Sequence, residues 1–284
     1  MKKRLKRIYR TCAVFLSLFV IIFALLLGVF IADYVTEDFA RVLPSYEKTD
    51  ISELIYKEEW TEEDYDVLYH QTGLGKAALD DMKSQRARLL VFQEAFFYEG
   101  ELEHQQVTFT TKQDKLKDYT APMVDLHAGD VIVSSTCHTM GWRNGHAALV
   151  IDSVTLLESI SLGTPSTLST GGIRWFRTAT NFIVLRLKKD NPAEAAQEGK
   201  RIADLAKEQL NDVPYSLTVG IFSKKDQGAN PKATHCSHLV WQAFYNCGYD
   251  VDANGGGLCT ARDIARSPLF EVIQVYGFDP EKLW

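Results

Sequence analysis

Residues 234–246 read THCSHLVWQAFYN. Cys236, Leu239, Val240, Ala243, Phe244 and Cys247 fall at i, i+3, i+4, i+7, i+8 and i+11, which is one apolar stripe on a helix. Cys236 opens that stripe, at the helix end where unpaired N–H groups and the macrodipole favour an anion. A thiol so placed is of the reactive kind, and the same N–H groups suit a developing oxyanion. The plain alternative is a small buried hydrophobe, like Cys247 on the same stripe. A third reading is a metal site, because Cys137-His138 and His235-Cys236-x-His238 offer five donors. Their spacing matches no standard zinc pattern, and His238 points away from the Cys236 stripe, so no metal is expected.

A nucleophilic thiol needs a base, and the base needs an orienting partner. His146 opens the run HAALVID (146–152) directly after a Gly-containing loop, and a strand start can aim a ring at a packed helix. Its plain reading is a water-exposed residue at a strand edge. His127, His138, His235 and His238 compete for the role. Glu158 sits inside the apolar run VTLLESI (154–160), and a carboxylate there should have a partner. A three-residue turn at 152–154 pairs Ala148 with Glu158 and puts Glu158 on the His146 face. A two-residue turn at 152–153 puts it on the opposite face, and the sequence leaves both open.

Working outward, GDVIVSS (129–135) and NFIVLRLK (181–188) are further strands. Asn191, Pro192 and Glu194 start a helix that runs to about Leu210. Thr260 with Asp263 starts a last short one that stops before Pro268. Upstream, Thr61 with Asp64 caps a helix, GLG (73–75) makes a turn, and a second helix is expected over about 76–98. Residues 36–60 look like an acidic, partly helical juxtamembrane stretch. The order is helices, strands, helices, an α+β chain. The loops 136–145, 160–174 and 216–233 are expected to line the cleft.

The first ten residues carry six basic side chains, and the next charge is Asp33. Thr11 to Ala32 give 22 uncharged positions, which as a helix reach about 33 Å, enough to cross a bilayer core. An uncleaved, single-pass anchor is expected, with the basic tail inside and the remainder extracytoplasmic. A cleaved signal peptide is the alternative, although no A-x-A-like site ends the apolar run. Beyond residue 33, 25 basic residues face 36 acidic ones, a balance that excludes a nucleic-acid partner. Five cysteines at this length do not make a disulfide scaffold, although an outward-facing domain could pair Cys247 with Cys259.

Taken together, GD-V-IV, GHAALVID, LLES, VPY, HCSHLVWQAFYNCGYDVD and TARDIARSP resemble the permuted papain-like hydrolases of the YiiX branch, related to NlpC-type cell-wall peptidases. The similarity spans roughly residues 125–275. It implies a Cys-bearing helix packed on an antiparallel sheet, with Cys236 as nucleophile, His146 as base and Glu158 as the third residue. It implies Tyr215, in VPY, as a cleft residue; His235 and His238 depart from the family pattern, where small or acidic residues are common, and a second histidine beside the thiol is expected to help bind substrate or to take over as base. The expected division is a tail and anchor (1–33), a helical leader (34–120) and a hydrolase domain (121–284). The chemistry implied is thiolate attack on an amide bond, as in peptide or peptidoglycan-like substrates, with no cofactor. Related permuted enzymes act on lipid acyl groups, so a lipid acyl hydrolase or acyltransferase is a second expectation, and an inactive binding module a third.

Overall fold

The computed structural model describes residues 2–37, 41–108, 111–139 and 142–282. Helix α1 (Lys2–Glu37) holds an apolar span, Tyr9–Val29, none of it buried, long and apolar enough to cross a membrane or to be a signal sequence. Then follow α2 (Glu62–Thr72), α3 (Lys76–Asp81) and α4 (Arg88–Phe96), and strands β1 (Leu102–Gln106), β2 (Thr111–Leu116), β3 (Val131–Ser134), β4 (Cys137–Thr139), β5 (His146–Asp152), β6 (Thr155–Glu158) and β7 (Thr167–Ser169). The chain continues with α5 (Gly172–Thr178), β8 (Phe182–Leu187), α6 (Pro192–Gln209), α7 (Cys236–Tyr245), α8 (Ala261–Ala265) and β9 (Phe270–Tyr276). The architecture is α+β. A six-stranded antiparallel sheet runs β7-β6-β5-β3-β8-β9, and a three-stranded one runs β1-β2-β4.

The central strands are apolar on both faces because both faces are covered. Val131, Val133, Ala147, Leu149, Ile183 and Leu185 pack against α6, α7 and α8. The alternate residues Ile132, Ala148, Val150, Leu156 and Val184 pack against α2, α3, α4 and Phe176 of α5. This period-2 split is what a two-sided sheet requires. The N-terminal helices are therefore part of the core. At GLG, Gly73 takes φ +71°, and a Cβ there would stand 2.2 Å from the Val275 carbonyl oxygen. The backbone of this turn pairs directly with β9, through Gly75 N–H to Ile273 and Val275 N–H to Gly73.

The caps fall where the sequence puts them. Thr61 and Thr260 each form a reciprocal box with Asp64 and Asp263, and Asn191 caps α6 with Pro192 in the first turn. Three expectations are corrected. The second leader helix is broken into α3, a 3-10 turn at Lys83–Gln85 and α4, because the Arg86 guanidinium binds the Lys83 and Ile55 carbonyls at the break. The stretch 36–60, expected to be partly helical, holds the end of α1 and a 3-10 turn, Leu54–Tyr56, among its described residues. The expected helical leader also carries the β1–β2 hairpin, and β4, β7 and β9 went unread. The β5–β6 connection is neither of the two turns considered: Asp152 pairs with Thr155 across a two-residue turn, and a bulge between Val150 and Asp152 restores the register Leu149↔Leu157. Glu158 thus shares the His146 face.

Helix α6 crosses the entry to β3 at a glycine contact. A Cβ on Gly199 would lie 2.3 Å from the Ala128 carbonyl oxygen. Alanine favours a helix interior over glycine by about 1 kcal/mol, but overpacking here costs about 1–3 kcal/mol. Gly199→Ala is expected to lower the melting temperature, and a rise would show that α6 stands clear of the β3 entry.

Candidate active site

Cys236 is the first residue of α7, with His235 as N-cap. Leu239, Val240, Ala243 and Phe244 of α7 sink into the core beside β5, while Cys236, 9 % exposed, faces a cleft. His146 begins β5 after Gly145, whose φ of +67° lets its N–H reach the Cys137 carbonyl. His146 has the parity of Ala148 and Val150, so its ring belongs to the sheet face away from the α7 stripe. It meets Cys236, the first residue of α7, at the cleft that both line.

His146 Nε2 and Glu158 Oε2 are 3.0 Å apart, and both side chains are buried. That contact leaves Nδ1 for the Cys236 sulfur. Trp175 meets the ring edge-on at 5.1 Å and Phe176 stacks on it at 5.5 Å, fixing its plane. Gly172, held by its N–H to the Ser169 hydroxyl, lets the other carboxylate oxygen in, since a Cβ there would lie 2.1 Å from Glu158 Oε1. Trp175, Phe176 and Gly172 were missed in the sequence. The usable signal was Gly-Gly followed by an aromatic pair, directly after the strand carrying Glu158's partner β7.

The electrostatics follow from this packing. Burial pushes the Cys236 thiol up, but hydrogen bonding to His146 and then His235, with their charges, outweighs it and holds the thiol well below its ordinary value. Burial pulls His146 down, but Cys236 and Glu158 outweigh it and raise it to about 10. The direction for both is a thiolate–imidazolium pair. Burial raises the Tyr215 hydroxyl and the Cys137 thiol, and the Cys236 charge adds to both. Tyr215 is set beside Cys236 by backbone pairing with Thr234, on the approach to α7.

His235 accepts the His238 N–H at Nδ1, at 3.3 Å, and its buried Nε2 has no well-formed hydrogen bond. His238 does not line the cleft. Its Nδ1 meets the Thr234 hydroxyl and its Nε2 the Lys225 carbonyl, so both ring nitrogens are used in holding the chain. That corrects its expected role as a substrate contact. His127 lies away from the thiol, on a separate cavity of about 420 Å³ between α3 and the start of α6. Of the charges there, Arg186 meets Asp130 through two hydrogen bonds.

The five donors considered for a metal do not converge, since His138 turns to Asp114. The described residues hold one other group with ligand atoms within 4.8 Å of one another: His104, Asp114 and His138. Asp114 already binds both rings and, through its second oxygen, Arg143 at 2.7 Å. The five cysteines are free thiols, so Cys247 and Cys259 are not paired.

Two cavities flank Cys236. One, of about 300 Å³, is lined by His146, Glu158, Trp175, Ile160 and Val107. The other, of about 120 Å³, is lined by Trp142, Leu217, Ile221 and Leu258. Tyr215, Asn144 and Cys236 border both. The three loops expected at the cleft all contribute, with residues 140 and 141 outside the described residues.

No family model matches the chain. No curated protein matches it either. Among solved structures, the crystal structure of metalloprotein yiiX from Escherichia coli O157:H7 aligns with a TM-score of 0.39 and 12% identity, over 52% of this chain and 97% of that one. At that score the likeness is weak.

Proposed function

We propose that this protein is a membrane-anchored thiol hydrolase of acyl bonds with a permuted papain-like, NlpC-type core. The observation that carries the reading is the Cys236–His146–Glu158 arrangement: a depressed thiol at a helix N-terminus, a raised imidazole, and a carboxylate 3.0 Å from that ring. Cys236 is the nucleophile, His146 the acid and base, and Glu158 the group that orients and charges the ring. Tyr215 and His235 border the reacting centre.

The Cys236 thiolate attacks the carbonyl carbon, and the first amides of α7 face the developing oxyanion. The carbon–nitrogen bond breaks as the His146 imidazolium gives its proton to the leaving amine. Water then attacks the thioester, His146 takes a proton from it, and the carbon–sulfur bond breaks to return the thiolate. The same steps serve an ester. The amide reading, with cell-wall peptide as its substrate, rests on the resemblance in the sequence. The apolar span of α1 holds the domain to the membrane, with the basic tail inside and the domain outside.

Acyl-enzyme capture tests this. The full chain treated with p-nitrophenyl acetate is expected to carry an acetyl group on the Cys236 peptide, read by mass spectrometry. Label that persists at equal yield elsewhere in Cys236→Ala, with none on Cys236 in the wild type, would contradict it.

A further inference from the structure

His146 marks one end of the six-stranded sheet. It pairs with Ser134, Val133 pairs with Ile183 and Phe182 with Tyr276, so the start of β5, the end of β3, the start of β8 and the end of β9 lie side by side. The chain arriving from α1 attaches at that same end. The Val42 N–H donates to the Gly277 carbonyl, one residue past β9, and the Arg41 guanidinium donates to the Thr180 carbonyl, two residues before β8. Three strand spacings, about 14 Å, separate β9 from β5.

The leash from the apolar span to this point is short. From Val29, the end of the span, to Glu37 the chain is helical and rises about 12 Å. The steps from Glu37 to Arg41 add at most about 14 Å. A domain the length of residues 42–282 has a radius of gyration of about 18 Å, hence a diameter of roughly 45 Å. With α1 across a bilayer, a leash of about 26 Å does not reach round such a body. The end of the sheet that holds Arg41, and with it His146, therefore faces the headgroups.

Apolar side chains crown that end. Outside α1, the two most exposed large apolar side chains among the described residues are Phe222, at 87 %, and Leu162, at 82 %. Leu162 follows β6, whose last residue, Glu158, touches His146. Phe222 follows Ile221, which with Leu217 and Trp142 lines the smaller cavity beside Cys236, and these three are about half exposed. The turn under Phe222 is held in place. Gly220, at φ +81°, would set a Cβ 1.9 Å from the Gly257 carbonyl oxygen, and the Ile221 and Phe222 N–H groups both return to the Thr218 carbonyl. Apolar groups fixed outward in this way mark a contact surface.

We infer that this end of the domain docks on the bilayer surface, with Phe222 and Leu162 entering the headgroup layer on either side of the cleft. This rests on the reading of α1 as an anchor and not on the thiol chemistry. Docked so, Cys236 stands over the headgroups whatever acyl bond it cleaves, and substrate reaches it from the thin layer between domain and bilayer.

The test places the photo-crosslinker p-benzoylphenylalanine at one position at a time in the full chain, held in phosphatidylcholine nanodiscs. The positions are Phe19, Leu162, Phe222 and Val154, all exposed. Val154 lies in the β5–β6 turn, at the opposite end of β5 from His146. Lipid adducts are counted by mass spectrometry after irradiation, and Phe19→p-benzoylphenylalanine, within the apolar span, sets the yield in lipid. Phe222→p-benzoylphenylalanine and Leu162→p-benzoylphenylalanine are expected to exceed Val154→p-benzoylphenylalanine by about tenfold or more, because an interfacial side chain meets lipid continuously and one about 20 Å above it does not. Adducts at 19, with yields at 222 and 162 no higher than at 154, overturn the docking and leave the anchor standing. Crosslinks from 222 to a second copy of the chain, without lipid adducts, do the same. No lipid adduct at 19 removes the anchor, and this inference with it. Acetylation of Cys236 by p-nitrophenyl acetate in the same samples reports on the thiol reading separately.

Discussion

Glu158→Gln is expected to lower turnover of p-nitrophenyl acetate by about 10²–10⁴-fold, the range for losing a positioned acid–base system. The side chain keeps its size in a site where Gly172 has been left bare to admit it. What it loses is charge. Burial pulls His146 down, and its raised value depends on Cys236 and Glu158 together. Without the carboxylate the imidazolium is disfavoured, and the thiolate beside it loses its counter-charge. Stopped-flow release of p-nitrophenolate in the wild type and the variant measures this. Turnover within about twofold of wild type would make Glu158 a buried polar residue with no part in the chemistry.

The buried pair also gives stability a defined pH dependence. His146 has a folded value raised from 6.5 to about 10, and Cys236 a folded value lowered from 9.0. Below pH 6.5 the histidine is protonated in both states, while the unfolded thiol holds a proton the folded thiolate has released. Stability from the pair therefore falls as pH drops, by up to about 1.4 kcal/mol per pH unit for one proton. Between 6.5 and 9.0 each state holds one proton and the contribution is level. Above 9.0 the unfolded pair has lost both protons and the folded pair keeps one, so the contribution falls again until His146 titrates near 10. Denaturant unfolding of the wild type against Cys236→Ala/His146→Gln, where Gln keeps a donor for Glu158, isolates the effect. A difference that stays constant from acid to alkali would mean the pair is not charged in the folded protein.

Much of this site was legible because its parts lie on regular elements. The stripe from Cys236 to Cys247 placed the thiol at a helix start, and the run HAALVID placed His146 at a strand start. Glu158 was legible as a residue but not as a neighbour, because its face depends on a bulge at residues 150–152 that no local pattern marks. His238 misled for a related reason. Proximity to Cys236 in the chain says nothing about Thr234 and Lys225, which hold its ring. Strand β9 was unread because its partners, β8 and the turn at 73–75, lie far off in sequence. Trp175 and Phe176 act on His146 only through the return of β7 beside β6, a tertiary fact.

The most direct test of the central claim is the alkylation rate of Cys236 against pH in the full chain. Iodoacetamide is the reagent, the Cys236 peptide is followed by mass spectrometry, and His146→Ala is run alongside. The account predicts a wild-type rate that titrates well below the ordinary thiol value of ~8.5 and an inflection that moves up in the variant. A rate that follows an ordinary thiol in both proteins would make Cys236 a core residue and end the hydrolase reading.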